Sequence, residues 1–193
     1  MGPMSSPDAP ALPERDRRTL LALARASIEK GLQGGFLNPD LDELSDPLRE
    51  DRASFVTLKT DGRLRGCIGS LEAHQPLALD VIDNAYAAAF RDPRFQPLAP
   101  EELDGLHIHI SVLGRPEPLE FDSEQDLIAR LRPGIDGLIL REGTRRGTFL
   151  PSVWESLPEP AEFLRQLKRK AGLPADYWSD RVQVWRYTTE SFS

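Results

Sequence analysis

Three things are scarce in this sequence of 193 residues: cysteine, long apolar runs and an excess of positive charge. The single cysteine, Cys67, allows neither an internal disulfide nor a paired-cysteine metal or redox motif, which fits a reducing cytoplasm. No run of about 18 apolar residues and no early apolar segment is present, so neither a membrane span nor secretion is expected. The net charge of −7 argues against nucleic-acid or anionic-membrane partners, because no basic excess exists to displace counterions.

Familiar catalytic and nucleotide-binding motifs are also missing. The sequence has no Walker spacing, no Gly-x-Gly-x-x-Gly, no His-Glu-x-x-His and no Gly-x-Ser-x-Gly. Standard nucleotide-binding, zinc-protease and α/β-hydrolase functions therefore have no support, and we predict no cofactor and no metal.

The pattern of apolar residues predicts an α+β fold with a mainly antiparallel sheet packed against helices. Residues 1–11 are polar and proline-rich, and we expect a disordered tail there, followed by one domain over residues 12–193. Amphipathic or apolar helices are predicted at Pro13–Gln33 and from Pro76 to Ala89. Leu106–Leu113 alternates cleanly between apolar and polar residues, as a strand with one buried face does. We expect a basic turn at Gly143–Gly147, before a short strand.

The clearest local pattern is a hairpin that contains the cysteine. Ala53–Lys59 is predicted to be a strand, Asp61-Gly62 is a favoured two-residue turn, and Leu64–Leu71 returns as the second strand. Gly66 and Gly69 flank Cys67, although glycine weakens a strand. We interpret these glycines as a bulge or as backbone that another group approaches closely, and we treat both as candidate ligand-binding residues.

Arg65 and Cys67 are the candidate catalytic pair. Residues two apart in a strand point to the same face, so the guanidinium and the thiol could share a pocket. A nearby cation favours the nucleophilic thiolate. The alternative is a packed, inert cysteine, since free cysteine is among the most buried residue types.

Two further clusters carry charge or metal-binding groups. In Arg91-Asp92-Pro93-Arg94, Asp92 could orient one arginine while the other binds a carboxylate or phosphate; Asp92 and Arg94 are candidate ligand-binding residues, with a structural salt-bridge network as the alternative. His107 and His109 could jointly hold a metal, but a solvated sheet face is the better interpretation. Arg146, in the basic turn, and Lys170, at a helix end, complete the candidates for binding a small anionic ligand.

Five ordered motifs resemble the AMMECR domain family, whose prokaryotic members belong to the AmmeMemoRadiSam system. They are Leu64-Arg65-Gly66-Cys67-Ile68-Gly69, Ala88-Ala89-Phe90-Arg91-Asp92-Pro93-Arg94-Phe95, Ile110-Ser111-Val112-Leu113, Gly147-Thr148-Phe149-Leu150-Pro151-Ser152-Val153-Trp154 and Lys170-Ala171-Gly172-Leu173. The resemblance covers about Leu12 to Phe192 and departs at Ser152, where bacterial relatives often carry glutamine. It implies a larger α/β lobe and a smaller one.

The resemblance also implies two partner proteins, a radical-SAM protein and a Memo-type protein. This chain is not the radical-SAM component, because one cysteine cannot hold a three-cysteine iron–sulfur site. We expect a small-molecule enzyme or ligand-binding subunit with a cleft around Leu64–Gly69. The alternative is a non-catalytic adaptor that docks a protein partner through the same surface.

Overall fold

The computed structural model describes residues 11–193, so nearly all of the predicted tail over residues 1–11 lies outside the described residues. Within them the helices are α1 (Glu14–Leu32), α2 (Asp46–Arg49), α3 (Leu77–Phe90), α4 (Glu124–Arg130) and α5 (Pro160–Lys170). The strands are β1 (Ser54–Thr60), β2 (Arg63–Gly69), β3 (Leu106–Leu113), β4 (Glu117–Pro118), β5 (Gly137–Glu142), β6 (Arg145–Phe149), β7 (Gln183–Tyr187) and β8 (Thr189–Phe192). No described helix is long and apolar enough to cross a bilayer.

The chain divides into two compact units, each with its own four-stranded sheet. The first unit contains residues 11–114 and Glu190–Ser193, and the second contains Arg115–Thr189. The strand orders are β2-β1-β3-β8 and β4-β7-β5-β6. Pairs β1–β2, β1–β3, β4–β7, β5–β6 and β5–β7 are antiparallel, which confirms the predicted α+β class.

The core of the first unit lies between its sheet and the helices α1 and α3. The alternation predicted for β3 is confirmed: Ile108, Ile110 and Val112 are buried, and Ile110 is fully so. Strand β1 contributes Val56 and Leu58 to the same side. The opposite, outer face of this sheet therefore carries the alternate residues of each strand.

The second unit packs α4 and α5 against its sheet. Its core contains Leu138, Leu140, Leu164 and Phe163, and the Phe163 ring stacks on Trp154 with 3.8 Å between centroids. The basic turn predicted at Gly143–Gly147 is shorter than expected. Strand β6 already begins at Arg145 and pairs with β5, because cross-strand hydrogen bonds outweigh the weak strand propensity of this stretch.

Candidate functional site

The cysteine-bearing strand is held by a tight hairpin, as predicted. Asp61 and Gly62 have φ values of 52° and 75°, the left-handed pair that a two-residue hairpin turn requires. Strand β2 therefore lies directly beside β1, and its other side is an edge of the sheet. Peptide groups on that edge need partners from outside the sheet.

A bulge separates Arg65 from the regular register of β2. Leu58 pairs with Gly66, but the next residue, Lys59, pairs with Leu64, so Arg65 has no partner in the β1–β2 register. A bulge interrupts the two-residue alternation of a strand. The two-residue spacing of Arg65 and Cys67 therefore does not place their side chains on one face of a regular strand.

Both glycines of the motif are required by close packing. A Cβ atom on Gly66 would lie 2.1 Å from the carbonyl oxygen of Ala88 in α3. A Cβ atom on Gly69 would lie 2.2 Å from the Phe55 ring. The close approach inferred from the sequence is thus made by the protein's own helix and an aromatic side chain.

Asp92 and Arg94 together bind the peptide groups of Cys67 on the free edge of β2. The Cys67 N–H donates to Oδ2 of Asp92 at 3.0 Å, and Nη2 of Arg94 donates to the Cys67 carbonyl at 3.3 Å. The two side chains also pair with each other, at 2.7 and 3.0 Å. We call this arrangement the Cys67 clamp.

The clamp is buried on its acidic side and open on its basic side. Asp92 is 4% exposed, whereas 55% of the Arg94 side chain is exposed. The hydrogen bond from Arg94, followed by that from the Cys67 N–H, holds the pKa of Asp92 far below its usual range despite burial. The pKa of Arg94 is raised, chiefly by its hydrogen bond to Asp92. Asp92 therefore orients Arg94, the role considered for it from the sequence.

Arg65 is bound elsewhere. Its guanidinium donates to both carboxylate oxygens of Glu102, at 2.7 and 3.1 Å, and to the Gln96 carbonyl at 2.8 Å. This pairing lowers the pKa of Glu102. Only 14% of the Arg65 side chain is exposed, and its buried Nη1 atom has no hydrogen-bond partner among residues 11–193. The hydrogen bonds of Arg65 thus hold the segment that follows α3, at Gln96 and Glu102.

The thiol of Cys67 belongs to the outer face of the sheet. Thr57 pairs with Cys67 on one side and with His109 on the other, so the three residues form one cross-strand row. Sγ of Cys67 lies 3.3 Å from Oγ1 of Thr57. Burial, with help from Lys59, lowers the pKa of His109 below its usual value and favours the neutral imidazole at pH 7.

The sequence offers His107 and His109 as a candidate metal-binding pair. His107 is exposed, and it lies one row along the outer face from His109. In residues 11–193 no group of three or more histidine, cysteine, aspartate or glutamate side chains is arranged to hold a metal ion.

The remaining candidates, Arg146 and Lys170, lie in the second unit. Arg146 is paired with Arg141 in the β5–β6 ladder. Nζ of Lys170 donates to the Thr148 carbonyl at 2.7 Å and lies 5.2 Å from the centre of the Phe149 ring. Desolvation lowers the pKa of Lys170. The structure thus joins Cys67, Asp92 and Arg94 in one cluster of the first unit, whereas Arg146 and Lys170 are residues of the second unit.

Sequence reasoning missed a buried polar network at the far end of the motif. Asp80 of α3 is fully buried and accepts hydrogen bonds from Ser54 at 2.6 Å, Ser70 at 2.8 Å and Asn84 at 3.0 Å. The sequence signal that could have revealed this network is an aspartate, Asp80, within the apolar stripe of a helix. Glu102 was also missed, since nothing in its local sequence points to Arg65.

Fold and site together define a class: an α+β protein of two four-stranded sheets, with a half-buried cysteine on an edge strand whose peptide groups are bound by an Asp–Arg pair. The sequence model of the AMMECR1 family matches residues 21–192. The chain belongs to the AMMECR1 family, as the five motifs indicated.

Its relatives share nearly their whole length with it. A protein of Methanothermobacter thermautotrophicus is 42% identical over 181 residues, which cover 91% of this chain and 92% of the relative. A protein of Thermotoga maritima is 42% identical over 161 residues, covering 82% and 87%. The crystal structure of uncharacterized protein PH0010 from Pyrococcus horikoshii is similar with a TM-score of 0.83 at 34% identity, covering 93% and 92% of the two chains.

Proposed function

We propose that this protein is a small-molecule enzyme or ligand-binding subunit that works through the thiol of Cys67 on the outer face of the first sheet. The observation that carries the proposal is the Cys67 clamp. Burying the Asp92 carboxylate is costly unless strong hydrogen bonds compensate. In the clamp, one of these hydrogen bonds comes from the Cys67 N–H and fixes that residue of the edge strand. Side chains that react need such fixed positions.

The neighbours of the thiol suit a small anionic ligand. Arg94 brings a permanent positive charge to the edge beside Cys67, and in the described residues its Nη1 makes no hydrogen bond. The two N–H groups of this Nη1 atom are available to a carboxylate or phosphate. Neutral His109 lies across Thr57 in the same row, one strand farther from the thiol, where it offers a base to a bound ligand rather than to Cys67 itself. In this proposal Cys67 is the nucleophile and Arg94 the ligand-binding cation.

The proposed cellular setting is the AmmeMemoRadiSam system in the cytoplasm, with the radical-SAM and Memo-type proteins as partners. Family membership supports this part of the proposal. The natural test is metabolite profiling of a deletion strain that is complemented with wild-type protein, Cys67→Ala or Cys67→Ser. We expect wild type alone to restore the missing product.

Thiol reactivity gives an independent test on the purified protein. Alkylation of native Cys67 at pH 7 should be faster than that of a free thiol reference. Arg94→Gln should slow it, whereas Arg65→Gln should not, because Glu102 already holds Arg65. Slow alkylation of the native protein together with full complementation by Cys67→Ala would refute the catalytic assignment.

A non-catalytic adaptor is the second candidate, and one observation favours it. Strand β2 lies at a sheet edge; Leu64 on this strand is 43% exposed, and Leu71, two residues past its end, is 41% exposed. Exposed apolar side chains on an edge strand suit protein docking. The double variant Leu64→Ser/Leu71→Ser should then abolish partner capture and product formation, while Cys67→Ala leaves both intact.

A further inference from the structure

A separate groove in the second unit combines aromatic rings with carboxylates. It encloses about 550 Å³ between the segment Pro118–Asp122 and the segment Trp178–Trp185. Three aromatic residues line it, Phe121, Trp178 and Trp185. Phe121 and Trp178 pack against each other, with 5.6 Å between ring centroids.

All the formal charge that lines the groove is negative. Glu120, Asp122 and Asp180 are exposed lining residues, and among the described residues no lysine or arginine lines the groove. In the described part of the chain these three carboxylates form no ion pair and their side chains accept no hydrogen bond from another residue. No ion pair within residues 11–193 therefore compensates their charge, which is available to a cationic partner.

A lysine near the Trp178 ring does not alter this balance. Nζ of buried Lys168 lies 6.0 Å from the centre of the Trp178 ring, but it is paired with Glu124 at 2.6 Å. The pair is neutral as a whole. The position of Lys168 also shows that the Trp178 ring accepts a cation–π contact in this protein.

The shape of the groove favours a chain segment over an enclosed small molecule. Small-molecule pockets bury most of the ligand's surface. Here the three carboxylates and Gln183 are exposed to solvent along the groove, and two segments of the chain form its sides. Arginine matches this lining, because its planar guanidinium stacks on aromatic rings and pairs bidentately with carboxylates.

We infer that this groove binds a basic, arginine-containing peptide segment of a partner protein. The carboxylates of Glu120, Asp122 and Asp180 pair with its cations, and the rings of Trp178 and Trp185 stack against guanidinium groups. This interaction is independent of Cys67 chemistry, so either proposal can fail without the other.

The test measures fluorescence anisotropy of a labelled peptide of alternating arginine and glycine on titration with the full-length protein at low salt. The triple variant Glu120→Gln/Asp122→Asn/Asp180→Asn should raise the Kd about tenfold. A matched control, Glu29→Gln/Asp104→Asn/Glu155→Gln, makes the same charge change at exposed sites elsewhere and should alter the Kd by less than about twofold.

A variant of one aromatic residue and a comparison with arginine amide complete the test. Trp185→Leu should weaken binding several-fold without loss of folding, as checked by thermal unfolding. Equal weakening by the two triple variants would show nonspecific attraction to the net charge of −7 and overturn the proposal. Absence of peptide binding would also overturn it, as would arginine amide binding as tightly as the peptide, since that would identify a small-cation site.

Discussion

Replacing Asp92 by asparagine should release the clamp on Cys67. The two carboxylate oxygens accept four hydrogen bonds: Oδ2 from the Cys67 N–H and Nη2 of Arg94, and Oδ1 from the Arg94 N–H and Nε. An asparagine offers one oxygen and one NH₂ group, so either orientation leaves two of these donors facing another donor. Arg94 is half-exposed and can turn toward water, which reduces its share of the loss.

We expect a local cost of about 2–3 kcal/mol from this substitution. Hydrogen exchange at the Cys67 amide is the direct assay, because that N–H donates to Asp92. The cost corresponds to exchange that is about 30- to 150-fold faster than in the wild type. Asp104→Asn, at an exposed position of the same unit, is the control and should leave the rate unchanged.

The effect should depend on pH in a defined direction. Because the folded-state pKa of Asp92 is lowered, its stabilising contribution is complete well above the unfolded value of about 3.9 and declines as pH falls toward the folded value. The ratio of variant to wild-type exchange should therefore be constant above about pH 5 and shrink below about pH 4. An equal ratio at pH 7 and in acid, or no difference from Asp104→Asn, would refute the role of the carboxylate.

Three other predictions concern packing and protonation. Ile110→Ala should lower the free energy of unfolding by about 2–5 kcal/mol in urea, whereas Ile135→Ala, 50% exposed, should have little effect; equal midpoints would contradict the strand orientation. Gly66→Ala should prevent or severely weaken folding, because its Cβ meets helix backbone; by contrast, Gly62→Ala meets open space and should cost about 1 kcal/mol through its positive φ. His109 should titrate below pH 6.5 by NMR, and titration above that value would contradict its burial beside a cation.

Local patterns were sufficient for much of the fold. The Asp61-Gly62 turn, the alternation of Leu106–Leu113 and the apolar stripe of α3 depend on neighbours in sequence, and all three appear in the structure. The five motifs likewise identified the family, because they are read along the chain. The strand start at Arg145 was misplaced, since weak local propensity there is overruled by pairing with β5.

What the tertiary structure decided is the partner of each charged side chain. The sequence spaced Arg65 and Cys67 two residues apart, yet the bulge and Glu102, 37 residues away, gave Arg65 a different contact. Asp92 and Arg94 reach Cys67 only because α3 returns the chain to the free edge of β2. Ion pairs and edge hydrogen bonds join residues distant in sequence, so composition and spacing supply the chemical groups, while packing selects which of them meet.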